Sequence, residues 1–145
     1  MRQRQTTSWA GRGAARGTRL RVLIESADPV LAVSDFGAFA NAGIDVALCH
    51  GPVDHPTECP AVRGESCALA AGADVVLFDL VASGADVLEA TRQLRGAAPV
   101  VLRTVPPGFD PEGLEVLPAA ASVTGQIDVL RRAALDGRRS EDRSS

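Results

Sequence analysis

Ala73-Asp-Val-Val-Leu-Phe-Asp79-Leu-Val-Ala-Ser-Gly84 is the stretch that decides the fold of this chain. A run of apolar residues ends in a carboxylate, and a turn containing glycine then opens a helical pattern. Strands of parallel sheets are buried on both faces and read as continuous runs of Val, Leu and Phe. Open α/β sheets place their binding sites at the carboxyl ends of such strands. Asp79 ends this strand and is therefore the first candidate site residue.

Strand and helix patterns alternate along the rest of the chain. Strand patterns cover 20–24, 44–49, 75–79, 100–102 and 114–117, and helical patterns cover 29–41, 65–71, 86–94 and 123–134. Asp28-Pro29 predicts the start of the first helix, with an N-cap followed by a proline at the first helical position. Apolar residues recur in that helix at helical spacing: Val30, Val33, Phe36 and Phe39. We predict an α/β fold, a single domain with a five-stranded parallel sheet in flavodoxin-like order 2-1-3-4-5.

Three segments resemble the receiver (CheY-like) domain of bacterial response regulators. They are D-V-V-L-F-D-L from Asp74 to Leu80, G-A-D-V-L-E-A-T-R-Q-L-R from Gly84 to Arg95, and A-P-V-V-L-R-T from Ala98 to Thr104. The resemblance runs from about residue 19 to residue 135. It implies that Asp79 is the phospho-acceptor and that Thr104 is the switch hydroxyl at the end of the next strand.

The metal-binding part of the implied site departs from the family pattern. Receiver domains hold Mg²⁺ with the help of two adjacent acids at the end of the first strand, and Ser26 and Ala27 stand at those places. Glu25 comes one residue early, hence on the other face of the strand, and Asp28 comes one residue late. Because the acid pair is absent, we expect no cofactor, although a Mg²⁺ ion bound in another way stays open.

The cationic part of the implied site is also incomplete. The family uses a lysine before a proline after the fifth strand, where this chain has Leu117-Pro118, and the chain contains no lysine at all. A transferring phosphoryl group carries charge that a metal and fixed cations must neutralise. We therefore favour an Asp79 that caps a helix or loop by hydrogen bonding, and a Thr104 whose hydroxyl is satisfied at its strand end. Phosphorylation of Asp79 is the alternative.

The connection between the fourth and fifth predicted strands is short and rich in proline. It runs from residue 103 to residue 113 and contains Pro106, Pro107 and Pro111. Prolines leave room there for one helical turn at most. The fourth helix of receiver domains is therefore expected to be shortened or lost.

Five candidate metal ligands or disulfide partners cluster within a short segment: Cys49, His50, His55, Cys59 and Cys67. Four of them could supply a tetrahedral zinc site, but the cysteine spacing lacks the C-x2-C pair that pre-forms half of one. A Cys59–Cys67 disulfide is a second alternative, which an intracellular location disfavours. We favour idle or buried thiols in a solvated loop.

Charge is distributed unevenly along the 145 residues. The first 21 residues hold six arginines and no acid, and the rest holds nine arginines and eighteen acids. We divide the chain into a disordered basic arm (1–18), a receiver-like domain (19–136) and a disordered tail (137–145). The arm lacks the apolar core of a secretory signal, and contact with nucleic acid is expected only through this arm. No apolar run approaches the roughly 18 residues of a membrane span.

The function that these observations favour is a non-enzymatic regulatory or protein-interaction module with an incomplete phosphorylation site. Its partner would be another protein or a second copy of the chain. The bias towards arginine and alanine indicates a bacterial source, and a cytoplasmic location is expected. Two alternatives remain: a stand-alone receiver phosphorylated on Asp79 in a phosphorelay, and a redox- or metal-responsive protein that uses Cys49, Cys59 and Cys67. No P-loop, nucleophile elbow or His/Asp pair near a serine indicates an enzyme.

Overall fold

Five parallel strands form one sheet in the order β2-β1-β3-β4-β5, as predicted. The structure, a computed structural model, describes residues 19–26, 28–49, 72–80, 98–105, 108, 110–118 and 120–144, with side chains as far as 137. The strands are β1 (Arg21–Ser26), β2 (Asp45–Cys49), β3 (Val75–Asp79), β4 (Val100–Leu102) and β5 (Glu115–Val116). All four pairings between neighbours are parallel. The predicted α/β fold class is confirmed.

Strand β3 lies between β1 and β4, at the middle of the sheet. Val75, Val76, Leu77 and Phe78 have no exposed surface, which explains why this strand reads as an unbroken apolar run. Alternation along β1 and β3 sends Ile24 and Leu77 into one buried cluster and Leu23 and Val76 into another. A side chain's position in the run therefore decides which side of the sheet it reaches.

Helix α1 (Pro29–Asn41) begins and ends at the residues that the sequence predicts. The Asp28 carboxylate accepts hydrogen bonds from the backbone N–H groups of Val30 and Leu31, at 3.0 and 3.2 Å. The chain leaves the helix through Gly43, whose φ of 82° suits glycine.

The inward face of α1 differs from what its apolar spacing suggests. Phe39 is buried against the sheet and Phe36 packs at the edge of the same cluster. Val30 and Val33 belong to the same apolar pattern, but they are 79% and 57% exposed. Of the four residues in this apolar pattern, only Phe36 and Phe39 pack against the core.

Helix α2 (Val123–Ser144) covers the same side of the sheet as α1. Its buried residues are Ile127, Leu130 and Ala134. Residues 137–144, which the sequence analysis assigns to a disordered tail, continue the helical backbone instead. The division of the chain into an arm, a domain and a tail stays a prediction.

The connection between β4 and β5 contains no helix among its described residues, 103–105, 108 and 110–113. The remaining predicted elements, the helices at 65–71 and 86–94 and the basic arm at 1–18, lie outside the residues that the structure describes. Within the described part of the chain, neither helix has the length and apolar character that a bilayer crossing requires.

Asp28→Ala should lower the free energy of unfolding by about 1 kcal/mol, because two backbone N–H groups at the start of α1 lose their acceptor. Asp28→Asn keeps a capping oxygen, so its free energy of unfolding is expected to stay within a few tenths of a kcal/mol of the wild-type value. Urea unfolding followed by circular dichroism measures both variants. Equal losses in the two would show that the cap does not stabilise α1.

Candidate functional site

Asp79 lies at the carboxyl end of the central strand, where the sequence places it. Its register partner on β1 is Ser26, and alternation puts both on the sheet face of Ile24 and Leu77, which α1 and α2 cover. Ser26 is almost fully buried, and its hydroxyl oxygen accepts a 3.3 Å hydrogen bond from the Asp28 N–H. A short hydroxyl therefore stands beside Asp79 where the resemblance implies an acid.

Arg103 brings a positive charge directly to Asp79. Its backbone N–H donates to the Phe78 carbonyl oxygen at 3.0 Å, which extends the β3–β4 ladder one residue past β4. Its Nε then donates to Oδ2 of Asp79 at 2.9 Å. The backbone hydrogen bond places Arg103 beside the end of β3, and its side chain reaches Asp79 from that position.

The same guanidinium contacts a second carboxylate, from helix α1. Nη2 of Arg103 lies 2.7 Å from Oδ2 of Asp35. Asp35 follows buried Ala32 by three residues and precedes buried Phe39 by four, so helix geometry aims it at the sheet. The contact is an ion pair without the alignment of a good hydrogen bond, and both atoms are shielded from water.

These three residues form what we call the Asp35–Arg103–Asp79 network, in which side-chain exposure is only 10–15%. Burial works against the charged form of Arg103, but its interaction with Asp35, followed by that with Asp79, outweighs this effect and raises the pKa of Arg103. A raised pKa means that the interaction is fully present below the ordinary arginine value and is lost only above it. The guanidinium therefore stays charged throughout the neutral range.

Thr104 occupies the other oxygen of Asp79. Its hydroxyl donates to Oδ1 at 2.7 Å, while Arg103 holds Oδ2. Consecutive residues at the end of β4 thus engage both oxygens of one carboxylate. Asp79 is hydrogen-bonded, as we favour from the sequence, but its donors among the described residues are the two side chains that follow β4 and not the backbone of a helix or loop.

The described residues do not fit a Mg²⁺ ion held as the resemblance implies. Magnesium requires a near-octahedral set of oxygen ligands. Here Asp79 already has a guanidinium against one oxygen, and its neighbour on β1 is Ser26. Among the residues that the structure describes, no three acids, histidines or cysteines converge as metal ligands would.

The other candidate residues from the sequence do not join this network. Glu25 is buried on the opposite sheet face, beside Phe78 in register, and Asp28 is the cap of α1. Cys49 ends β2 and packs against the Leu23 side of the core. His50, His55, Cys59 and Cys67 lie outside the described residues, so the zinc and disulfide alternatives stay predictions.

Sequence reasoning missed Arg103 and Asp35. Arg103 stands next to Thr104 and two residues after Val101, a spacing that puts it on the Asp79 face of the sheet. Asp35 is the one ionisable residue within α1, and it lies on the helix face that also carries Phe39. A charged residue on the buried face of a helix is costly unless an opposite charge lies nearby. The position of Asp35 on that face could have been predicted from the sequence.

Comparison with known proteins identifies the architecture. No protein-family model matches the sequence, and no curated protein matches it. Among solved structures, the beryllofluoride-activated NtrC receiver domain superposes with a TM-score of 0.55 at 19% identity, covering 83% of this chain and 98% of that one. A response regulator receiver protein from Sinorhizobium medicae WSM419 gives 0.54 at 12% identity, with the same coverage. The fold is that of a receiver domain.

Arg103→Met should destabilise the protein more than Asp79→Asn. The first leaves two mostly buried carboxylates without their cation and should cost about 3 kcal/mol, the low end for breaking a buried pair. The second keeps Asp35 as a partner and retains an amide oxygen for Thr104, so we expect about 1 kcal/mol. Urea unfolding at neutral pH measures both losses.

Arg132→Met is the matched control, because Arg132 pairs with Glu115 on the surface, where both side chains are well exposed. Its effect should stay within about 0.5 kcal/mol. An Arg103→Met protein no less stable than this control would contradict a structural role for the network.

Proposed function

We propose that this protein is a non-enzymatic, receiver-like regulatory module that binds a protein partner without an aspartyl phosphate. One observation carries the proposal: both oxygens of Asp79 are engaged by side chains of the chain itself, Oδ2 by Arg103 and Oδ1 by Thr104. A carboxylate in this arrangement serves as an anchor for its neighbours. The role of Asp79 is then structural, whereas the corresponding aspartate of a receiver domain accepts the phosphoryl group.

The charge balance at the site supports this proposal. Asp35 and Asp79 contribute two negative charges to the network and Arg103 contributes one positive charge. Phosphorylation would replace the single negative charge of the Asp79 carboxylate with a phosphoryl group that carries about 1.5–2 negative charges at neutral pH. Charge of that size at a carboxylate needs cations that are not already spent. Arg103 is already shared between two acids, and the chain has no lysine to add.

The network also suggests how such a module would present a surface. Asp79 ends β3, Arg103 follows β4 and Asp35 belongs to α1, so one guanidinium ties two strands to a helix. A helix held by buried charges of the protein itself does not depend on a transient modification for its position. We therefore expect a single conformation of α1 in the presence and absence of phosphodonors.

The other functions considered from the sequence remain predictions. A phosphorylated stand-alone receiver requires Asp79 to leave Arg103 and Thr104 as the phosphoryl group arrives. A redox or metal function requires residues outside the described part of the chain. The bacterial source, the cytoplasmic location and the contact of the basic arm with nucleic acid likewise stay predictions.

Beryllofluoride, which mimics a phosphoryl group on aspartate, tests the proposal. With Mg²⁺ and excess fluoride, fluorine and amide NMR spectra of the wild type should show no bound species and no change around Asp79 or Thr104. Asp79→Ala serves as the control for adventitious signals. Stoichiometric binding that is present in the wild type and lost in Asp79→Ala would overturn the proposal and favour phosphorylation.

A further inference from the structure

Two carboxylates approach the guanidinium of Arg103 from different elements of the fold. Oδ2 of Asp79, at the end of β3, lies 2.9 Å from Nε, and Oδ2 of Asp35, on α1, lies 2.7 Å from Nη2. Both nitrogens are bonded to the same carbon atom, so the two oxygens lie around one compact positive centre. Proteins also hold Mg²⁺ through one or two carboxylates placed around the ion.

Asp35 supplies the second carboxylate from an element other than the one that the resemblance implies. The implied acid pair belongs to the end of β1, where Ser26 and Ala27 stand, whereas Asp35 lies inside α1. The helix buries Ala32 and Phe39 on the side that carries Asp35, which sets this carboxylate against the sheet. A second acid and a cation are therefore both present beside Asp79, but the cation is a side chain.

A divalent ion bound to both acids would have to occupy the space that the guanidinium fills. The guanidinium contacts both Oδ2 atoms, and Thr104 holds the other oxygen of Asp79. The side chains of the network are only 10–15% exposed, and two cations close together at a buried position repel each other strongly. Moving Arg103 away instead would break two mostly buried ion pairs.

From this geometry we infer that Arg103 takes the place of the metal ion that the resemblance implies. The carboxyl edge of the sheet is then held by an internal cation and is independent of divalent metals, with Asp35 and Asp79 as the acids that the cation joins. Arg103 is a positioning residue in this account. It also decides which cation the two acids accept, because the same acids would bind a divalent ion once the guanidinium is gone.

This inference deepens the proposed function and rests on the same network, but the two can fail separately. The proposed function concerns the phosphoryl group and is tested with beryllofluoride. The inference concerns the metal alone. A wild type that binds Mg²⁺ at Asp79 and still gives no beryllofluoride adduct would contradict the inference and leave the proposed function standing.

Thermal unfolding of the full chain in millimolar MgCl₂, compared with NaCl at equal ionic strength, tests the inference. The Tm of the wild type should be the same in both salts, because no divalent ion binds the folded state at the network. Arg103→Ala should unfold at a lower temperature in NaCl. MgCl₂ should then raise its Tm by roughly 2–5 °C in a saturable manner, because a divalent ion neutralises the two acids.

Three further variants show where the ion acts. Arg103→Ala combined with Asp79→Asn removes one of the two acids and should lose the gain in MgCl₂. Arg103→Lys keeps one positive charge at the site and should gain less than Arg103→Ala. Arg132→Ala removes an arginine from an exposed pair with Glu115, and its Tm should be the same in the two salts.

The wild type decides the question by itself if Arg103→Ala does not fold. Mn²⁺, which is paramagnetic, should not broaden the amide NMR signals of Asp35, Asp79 or Thr104 selectively. Selective broadening there, or a wild-type Tm gain in MgCl₂ that Asp79→Asn abolishes, would overturn the inference. A folded Arg103→Ala protein with no gain over NaCl, or an equal gain in the double variant, would overturn it as well.

Discussion

Arg103 places one positive charge between two carboxylates, and the carboxyl edge of the sheet depends on that contact. Its guanidinium joins Asp79 at the end of β3 to Asp35 on α1, while its backbone continues the ladder between β3 and β4. Burying three ionised groups is costly unless they compensate one another. Each member therefore needs the others in place, and their contacts tie α1 to the carboxyl edge of the sheet.

This chain has the fold of a receiver domain, but the residues of the Asp35–Arg103–Asp79 network differ from the site that the resemblance implies. The sheet order and the superposition are those of a receiver domain, but a fold does not determine the site built on it. Where the resemblance implies a metal ion and a lysine around an aspartate, the described residues place an arginine, a threonine and a buried serine. Arg103 is an internal cation that already contacts Asp79. We propose that the module has become a fixed scaffold.

The sequence predicted the fold well because burial dictates composition in a parallel sheet. The run ending in Asp79 and the cap at Asp28 each follow from local physical chemistry, and both are confirmed. Apolar spacing was a poorer guide to α1, since Val30 and Val33 continue the pattern of Phe39 but face outward. Arg103 escaped notice because its role depends on Asp35, which is distant in sequence and adjacent only after folding. Long-range charge compensation leaves no periodic trace.

The state of the Arg103 side chain in solution tests the central claim most directly. NMR of the arginine Nε–Hε group reports whether that proton is hydrogen-bonded and shielded from exchange. We predict a slowly exchanging Hε signal for Arg103 that is unchanged by millimolar Mg²⁺, against fast exchange for exposed Arg132. A rapidly exchanging Arg103 signal, or one that Mg²⁺ shifts in a saturable manner, would contradict the account, because it would mean that Asp79 is open to a metal ion.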